Sequence, residues 1–140
     1  MKEGKKITTT LTYQTGTVRI SINTLALLGE PKYIALMINP SERAIAYIPS
    51  TKADRASLKV RYANSTLTAG KVVCSVKFVR KVFKLEKWDS NYRYQICGKY
   101  AEGANLVYFD LKDARQVSNG VVDEDEYIDP EYDINFKEWD

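Results

Sequence analysis

The chain has 140 residues, enough for one domain or two small similar lobes, and its 44% of hydrophobic residues is ordinary for a globular core. It contains no histidine, which excludes His general bases, Ser-His and Cys-His nucleophile pairs and most zinc sites. The sequence contains no apolar run long enough to predict a membrane span, and its basic N-terminus lacks the apolar segment of a signal peptide. We therefore expect a cytoplasmic protein that is not an enzyme and needs no cofactor or metal.

The formal net charge of +3 conceals a strong segregation of charge along the chain. Residues 122–140 hold nine acidic residues and one Lys, a net charge of −8. Residues 1–121 hold 20 Lys and Arg against 9 Asp and Glu, a net charge of +11. Such asymmetry is typical of a chain with an electrostatic partner. We divide the chain accordingly into a basic β-rich domain, 1–121, and an acidic aromatic tail, 122–140.

Short strands dominate the first half of the chain. Alternating or β-branched residues predict strands at residues 7–13, 17–22, 33–38, 44–48 and 58–62. A short helix is expected between the second and third of these, capped by Asn23 and ended by Gly29. The third and fourth strands predict a hairpin.

The second half predicts more strands and two short helices. The strands are expected at residues 71–79, 92–97 and 105–109. Between the first two, the apolar period changes to that of a helix over Val79–Trp88, and Asp110 is placed to cap a final helix at 111–117. Cys74 and Cys97 lie in apolar segments and are expected to be buried thiols. The fold class is thus α+β, mainly β.

Residues 17–55 and 72–117 share one order of predicted elements, which suggests an internal repeat. The local match pairs AIAYIPSTKADR at 44–55 with NLVYFDLKDAR at 105–115, so that Tyr47 aligns with Tyr108. A true repeat predicts two similar halves related by a pseudo-twofold axis. The alternative is that two unrelated hairpins look alike because hairpins use few residue types.

A strand, a short helix ending in Leu-Gly and a β-hairpin make residues 15–49 resemble the swapped-hairpin domain of AbrB/SpoVT-type DNA-binding regulators. That family follows its first strand with Ile-Pro and an Arg-rich short helix. Here Ile22 is followed by Asn23 and Thr24, without an Arg cluster. The resemblance implies the fold of this domain for residues 15–49 and is compatible with a domain-swapped homodimer. Arg19 is the one residue of this chain to which a DNA contact of the family could be carried over.

Lys and Arg cluster most densely between residues 80 and 87. A helix or strand in this region would present a positive stripe able to follow a phosphate backbone. We predict nucleic acid as the partner of the basic domain, with contacts from Arg80, Lys81, Lys84, Lys87, Lys59 and Arg61. Four tyrosines either stack on unpaired bases or pack in the β core: Tyr62, Tyr92, Tyr94 and Tyr100.

The tail alternates carboxylates with aromatic rings, and its composition is similar to that of the acidic tails of single-stranded DNA-binding proteins and of DNA mimics. Its candidate binding residues are Asp123, Glu124, Asp125, Glu126, Tyr127, Tyr132, Phe136 and Trp139. The tail could be a disordered solubilising segment. It could fold back and mask the basic domain. It could also dock on another protein.

Two functions follow from these alternatives. The leading one is a non-enzymatic nucleic-acid-binding or regulatory module whose acidic tail masks its own basic domain. The alternative is a phage or mobile-element inhibitor, of the anti-CRISPR or another anti-defence type. Such a protein would insert its acidic aromatic tail, as a DNA mimic, into the basic groove of a nucleic-acid-processing protein.

Overall fold

The computed structural model describes residues 6–60, 71–118 and 136–139, and this part of the chain has the mainly β fold that the sequence predicts. Its strands are β1 (Thr8–Thr12), β2 (Thr17–Ile20), β3 (Tyr33–Asn39), β4 (Ala44–Pro49), β5 (Ser57–Lys59), β6 (Lys71–Cys74), β7 (Arg93–Ala101), β8 (Leu106–Asp110), β9 (Arg115–Ser118) and β10 (Lys137–Glu138). Its helices are α1 (Ile22–Leu27) and α2 (Val76–Glu86), with short 3₁₀ turns at Glu102–Ala104 and Leu111–Asp113.

The strands form one strongly curved sheet, a nearly closed barrel. The strand order is β10-β3-β4-β8-β7-β1-β2-β6, with β5 also paired to β3 and β9 to β7. Among the described strands, β10 and β3 run parallel, whereas the other pairs are antiparallel. The apolar side chains face inward around Tyr47, Phe78 and Phe109, which are completely buried. The barrel is therefore a packed core that supports surface elements.

The long strand β7 joins the two sides of the barrel. Residues Arg93–Cys97 pair with β1, and from Gly98 onward the strand pairs with β8. A Cβ atom at Gly98 would lie 2.6 Å from the ring of Phe109, nearer than real Cβ contacts. Glycine therefore leaves room for the ring of Phe109 at the point where β7 changes partners.

Both helices are capped by serines that the sequence analysis did not select. The side chain of Ser21, rather than Asn23, accepts the first-turn hydrogen bond of α1, from the backbone N–H of Thr24 at 3.3 Å. Ser75 does the same for α2, accepting from Phe78 N–H at 3.3 Å. The strand expected at 71–79 therefore ends at Cys74, because Ser75 already starts a helix.

The helix expected at 111–117 is wrong. Leu111–Asp113 form a single 3₁₀ turn, and residues 115–118 enter the sheet as β9 along one edge of β7. Pairing with that edge satisfies backbone groups that a short surface helix would leave to water, so tertiary context overrides the local pattern. Cys74 is buried as expected, but Cys97 is exposed.

The order strand, helix, strand, strand occurs twice, as β2-α1-β3-β4 and as β6-α2-β7-β8. The corresponding strands pair across the molecule, β2 with β6 and β4 with β8, and Ala46 lies opposite Tyr108. The helices differ, because α2 has 11 residues and α1 has 6. This arrangement is compatible with a pseudo-twofold repeat, which stays a prediction.

Neither helix in the described part of the chain is long and apolar enough to cross a membrane. Helix α1 lies between β2 and β3, and α2 follows β6 and packs against β2. Helix α2 carries the densest cluster of Lys and Arg, and the candidate site is built on it.

Candidate nucleic-acid interface

Helix α2 has one apolar side and one cationic side. Its buried side consists of Phe78, Val79, Val82 and Phe83. Arg80, Lys84 and Lys87 are exposed and follow one another at spacings of four and three residues. Arg80 and Lys84 are four residues apart and lie on the same side of the helix. Lys87 follows the last helical residue, Glu86, and lines one open cavity together with them, so the three cations form a single stripe, called the α2 stripe below.

The start of α2 is fixed to the turn between β1 and β2. The backbone N–H of Ser75 donates to the carbonyl oxygen of Gly16 at 2.9 Å. Gly16 has a φ of +67°, and a Cβ atom there would lie 2.5 Å from the side chain of Val76. Only glycine fits this left-handed turn beneath the helix. The same turn contains Tyr13, which it places close to α2.

The end of α2 positions Trp88. Lys87 has a φ of 58°, and its N–H donates to the carbonyl oxygen of Lys84 at 3.3 Å. The N–H of Trp88 donates to the carbonyl oxygen of Phe83 at 3.0 Å. This pair of bonds is the Schellman ending of a helix, which brings the residue after the left-handed position back onto the last turn. The indole of Trp88 accordingly meets the ring of Phe83 edge-on, with 5.1 Å between ring centroids.

Aromatic rings form a wall beside the stripe. Trp88 stacks on Tyr94 with a centroid distance of 4.3 Å and an interplanar angle of 8°. The Tyr94 hydroxyl accepts hydrogen bonds from the backbone N–H of Asp89 and from the side-chain amide of Gln116, both at 3.0 Å. These bonds fix the ring on which Trp88 rests. On the other side, Tyr13 packs on Phe83 at 5.2 Å.

The stripe and the aromatic wall enclose an open cavity of about 450 Å³. Its described lining residues are Tyr13, Arg80, Phe83, Lys84, Lys87, Trp88 and Ser90. Three of these are cations, three are aromatic, and no acidic side chain is among them. The guanidinium of Arg80 lies over the ring of Tyr13, 5.6 Å from its centroid. Such a cavity suits a ligand that is both anionic and aromatic.

The acidic residue of α2 is held away from this cavity. Glu86 receives two hydrogen bonds from the guanidinium of Arg43, with Nε at 2.9 Å from Oε2 and Nη2 at 2.6 Å from Oε1. The Glu86 side chain is only 2% exposed. This bonding, together with the carboxylate charge, raises the pKa of Arg43 above its ordinary value. The pair anchors the end of α2 to the turn between β3 and β4 and neutralises a charge that would oppose the stripe.

The structure brings three of the six predicted nucleic-acid-binding residues together, namely Arg80, Lys84 and Lys87. Lys81 is exposed on another part of α2, where its Nζ lies 3.4 Å from Glu138 Oε2. Lys59 is exposed on β5 and does not line the cavity. Arg61 lies outside the described residues.

The last described residues of the tail, 136–139, contact the basic domain and are called the terminal segment below. Its strand β10 pairs with β3, and the N–H of Trp139 donates to the carbonyl oxygen of Ile38 at 3.0 Å. Phe136 meets the ring of Phe78 edge-on at 5.7 Å. The other predicted tail residues, Asp123, Glu124, Asp125, Glu126, Tyr127 and Tyr132, lie outside the described residues. Phe136 and Trp139 thus contact this chain's own core and sheet edge.

Asp54 anchors the terminal segment through Lys137. Its Oδ2 lies 2.9 Å from Lys137 Nζ and 2.7 Å from the Ser50 hydroxyl, and its Oδ1 accepts from Ala56 N–H at 2.9 Å. These hydrogen bonds, above all the one from Lys137, lower the pKa of Asp54 from 3.8 to about 2. A folded-state pKa below the unfolded one stabilises the fold above about pH 4, and this stabilisation disappears as the pH falls through about 2.

We therefore expect Asp54→Asn to destabilise the protein at neutral pH but not in strong acid. Because the Lys137 side chain is 42% exposed, solvent screening limits the expected loss to about 1 kcal/mol. The measurement is the free energy of unfolding in urea of wild type and variant, at about pH 5 and again at about pH 2. A difference that stays constant between the two pH values would contradict this role of the Asp54 carboxylate.

Sequence reasoning missed the aromatic part of the site. Tyr13 and Ser90 were not selected, and Trp88 was assigned only to the apolar side of the helix. Of the tyrosines considered for base stacking, Tyr94 is buried, Tyr92 and Tyr100 pack partly against the core, and Tyr62 lies outside the described residues. The position of Trp88 directly after a cationic helix was the one sequence signal for an aromatic part of the site. Tyr13 is distant from α2 in the sequence and is brought next to it only by the tertiary fold.

No family model matches the chain, and no curated protein or solved structure is significantly similar to it. The resemblance of residues 15–49 to AbrB/SpoVT-type domains therefore stays a prediction. The site has to be interpreted from its own geometry and charge.

Proposed function

We propose that this protein is a non-enzymatic nucleic-acid-binding or regulatory module that contacts phosphates through the α2 stripe. The observation that carries the proposal is the cavity, in which Arg80, Lys84 and Lys87 stand beside the aromatic rings of Tyr13 and Trp88. Cations at helical spacing can neutralise successive phosphates, and the release of counterions from the nucleic acid then drives binding. The +11 charge of residues 1–121 adds a long-range attraction for a polyanion.

The scaffold supports this role because both ends of α2 are fixed. The β1–β2 turn holds its start through Ser75 and Gly16, and Arg43 holds its end through Glu86. A binding surface on a fixed helix loses less conformational entropy on association than one on a mobile loop. The backbone that carries the stripe is thus held in place before any ligand arrives.

We further propose that the acidic tail competes with nucleic acid for the basic domain. Residues 119–135 contain seven acidic residues and no Lys or Arg. The chain enters this segment after β9, where Gln116 bonds to the tyrosine that supports Trp88. It leaves the segment at Phe136, against Phe78 of α2. One flank of the acidic segment is therefore attached beside the tyrosine that supports Trp88, and the other packs on the buried side of α2. Both flanks are held on the basic domain, which supports masking within the chain over docking on another protein.

The stripe can be tested with a substitution that suits the backbone. Lys87 has the left-handed conformation that glycine adopts without strain, so Lys87→Gly should keep the stability within about 1 kcal/mol of wild type. We expect this variant to bind a labelled single-stranded oligonucleotide about fivefold more weakly near 0.1 M salt, because one phosphate contact is lost. Fluorescence anisotropy gives the affinity, and thermal denaturation checks the fold.

The matched control is Lys99→Gln, which removes one exposed positive charge from β7, outside the cavity. It should leave the affinity nearly unchanged. If Lys87→Gly retains wild-type affinity, or if Lys99→Gln weakens binding just as much, the α2 stripe is not the phosphate-binding surface.

A further inference from the structure

The rings in the cavity leave aromatic surface that the described part of the chain does not cover. Tyr94 stacks on one face of Trp88, and Phe83 meets its edge. Trp88 nevertheless lines the cavity, and so does Tyr13, which lies in the turn between β1 and β2. A planar aromatic guest could contact these rings while the water on their apolar surfaces is released. The cavity thus offers a stacking site in addition to its positive charge.

The size of the cavity and the charges that line it indicate which class of ligand it can bind. The cavity is open to solvent, and its volume of about 450 Å³ is large enough for a small planar ligand that stays partly exposed. Arg80, Lys84 and Lys87 line the cavity beside the aromatic wall, so an aromatic group flanked by negative charges fits better than a neutral ring. A nucleotide within a strand has this chemistry, with one planar base between two phosphates.

We propose that the cavity takes one unpaired base of a single-stranded nucleic acid, with the α2 stripe holding the neighbouring phosphates. This inference rests on the proposed function and adds the class of nucleic acid. In a duplex the bases are stacked and paired inside the helix, so they cannot enter the cavity without opening the duplex. Base stacking on aromatic side chains tolerates every base, so the preference is for strandedness rather than for sequence.

An abasic strand separates base stacking from phosphate binding without any mutation. The full-length protein is titrated with a labelled single strand of about 12 nucleotides, its duplex, and a strand of equal length without bases. We expect the strand with bases to bind about tenfold more tightly than the abasic strand. In a Trp139→Phe background, where Trp88 is the one remaining tryptophan of the sequence, binding should also quench tryptophan fluorescence.

Tyr13→Leu provides the matched variant, because it removes an aromatic wall while keeping an apolar contact for Phe83 and all the charges. It should bring the affinities for the normal and abasic strands close together, chiefly by weakening the binding of the normal strand. Equal, salt-dependent binding of all three probes by wild type would overturn the base-stacking inference and leave the proposed function standing. If none of the probes binds, both fail together.

Discussion

A variant in which Arg80, Lys84 and Lys87 are all replaced by glutamine is expected to bind single-stranded DNA about 100-fold more weakly than wild type near 0.1 M salt. On a single strand each phosphate contact adds about 0.7 to the salt dependence of log affinity, so three lost contacts amount to about two orders of magnitude. Glutamine retains good helix propensity, so α2 should remain folded. Fluorescence anisotropy with the full-length proteins gives the two affinities.

The control for net charge carries Lys32→Gln, Lys52→Gln and Lys99→Gln. These side chains are exposed, lie outside α2 and do not line the cavity. Both triple variants lose the same charge, so long-range attraction falls equally in each. An equal loss of affinity in both would mean that the basic domain attracts DNA by its overall charge and that the α2 stripe has no special role.

Neutralising the first acidic run of the tail should have the opposite effect. A full-length variant with Asp123→Asn, Glu124→Gln, Asp125→Asn and Glu126→Gln is expected to bind single-stranded DNA about tenfold more tightly at low salt. A tethered competitor acts at an effective concentration of about a millimolar, so a weak contact between tail and stripe suffices for this effect. The terminal segment is unchanged in this variant, so β10 keeps its place on β3.

The matched control neutralises four exposed acidic residues of the basic domain: Glu30, Glu42, Glu102 and Asp113. It raises the net charge by the same amount without touching the tail, and should improve binding much less. Unchanged affinity in the tail variant would contradict masking. The tail would then fit the inhibitor alternative, in which it binds the basic groove of another protein.

Local sequence patterns predicted much of the sheet, because alternation and β-branched residues report directly on half-buried strands. The hairpin of β3 and β4 agrees with its predicted segments, 33–38 and 44–48, to within about one residue, as is usual for element boundaries. The predictions failed where two structures compete locally. At residues 115–118 the local sequence is compatible with a helix or a strand, and the chain forms a strand because β7 offers an edge with which it can pair.

The candidate site was predictable only in part for the same reason. The α2 stripe is local, so the spacing of Arg80, Lys84 and Lys87 was visible in the sequence. The cavity combines elements that are distant in the chain, and nothing around Tyr13 indicates that its turn packs on α2. The pairing of β10 with β3 depends likewise on the edge of β3 that the folded sheet presents, because a two-residue strand has no detectable pattern.

The central claim is that the α2 stripe binds phosphates, and the salt dependence of binding tests it most directly. The measurement is the slope of log affinity against log salt concentration for a labelled single strand, between about 50 and 200 mM salt. It is made with full-length wild type and with the variant in which Arg80, Lys84 and Lys87 are replaced by glutamine. We predict a steep negative slope for wild type that becomes shallower by about 2 in the variant. Equal slopes for the two proteins, or no binding by wild type, would contradict the claim.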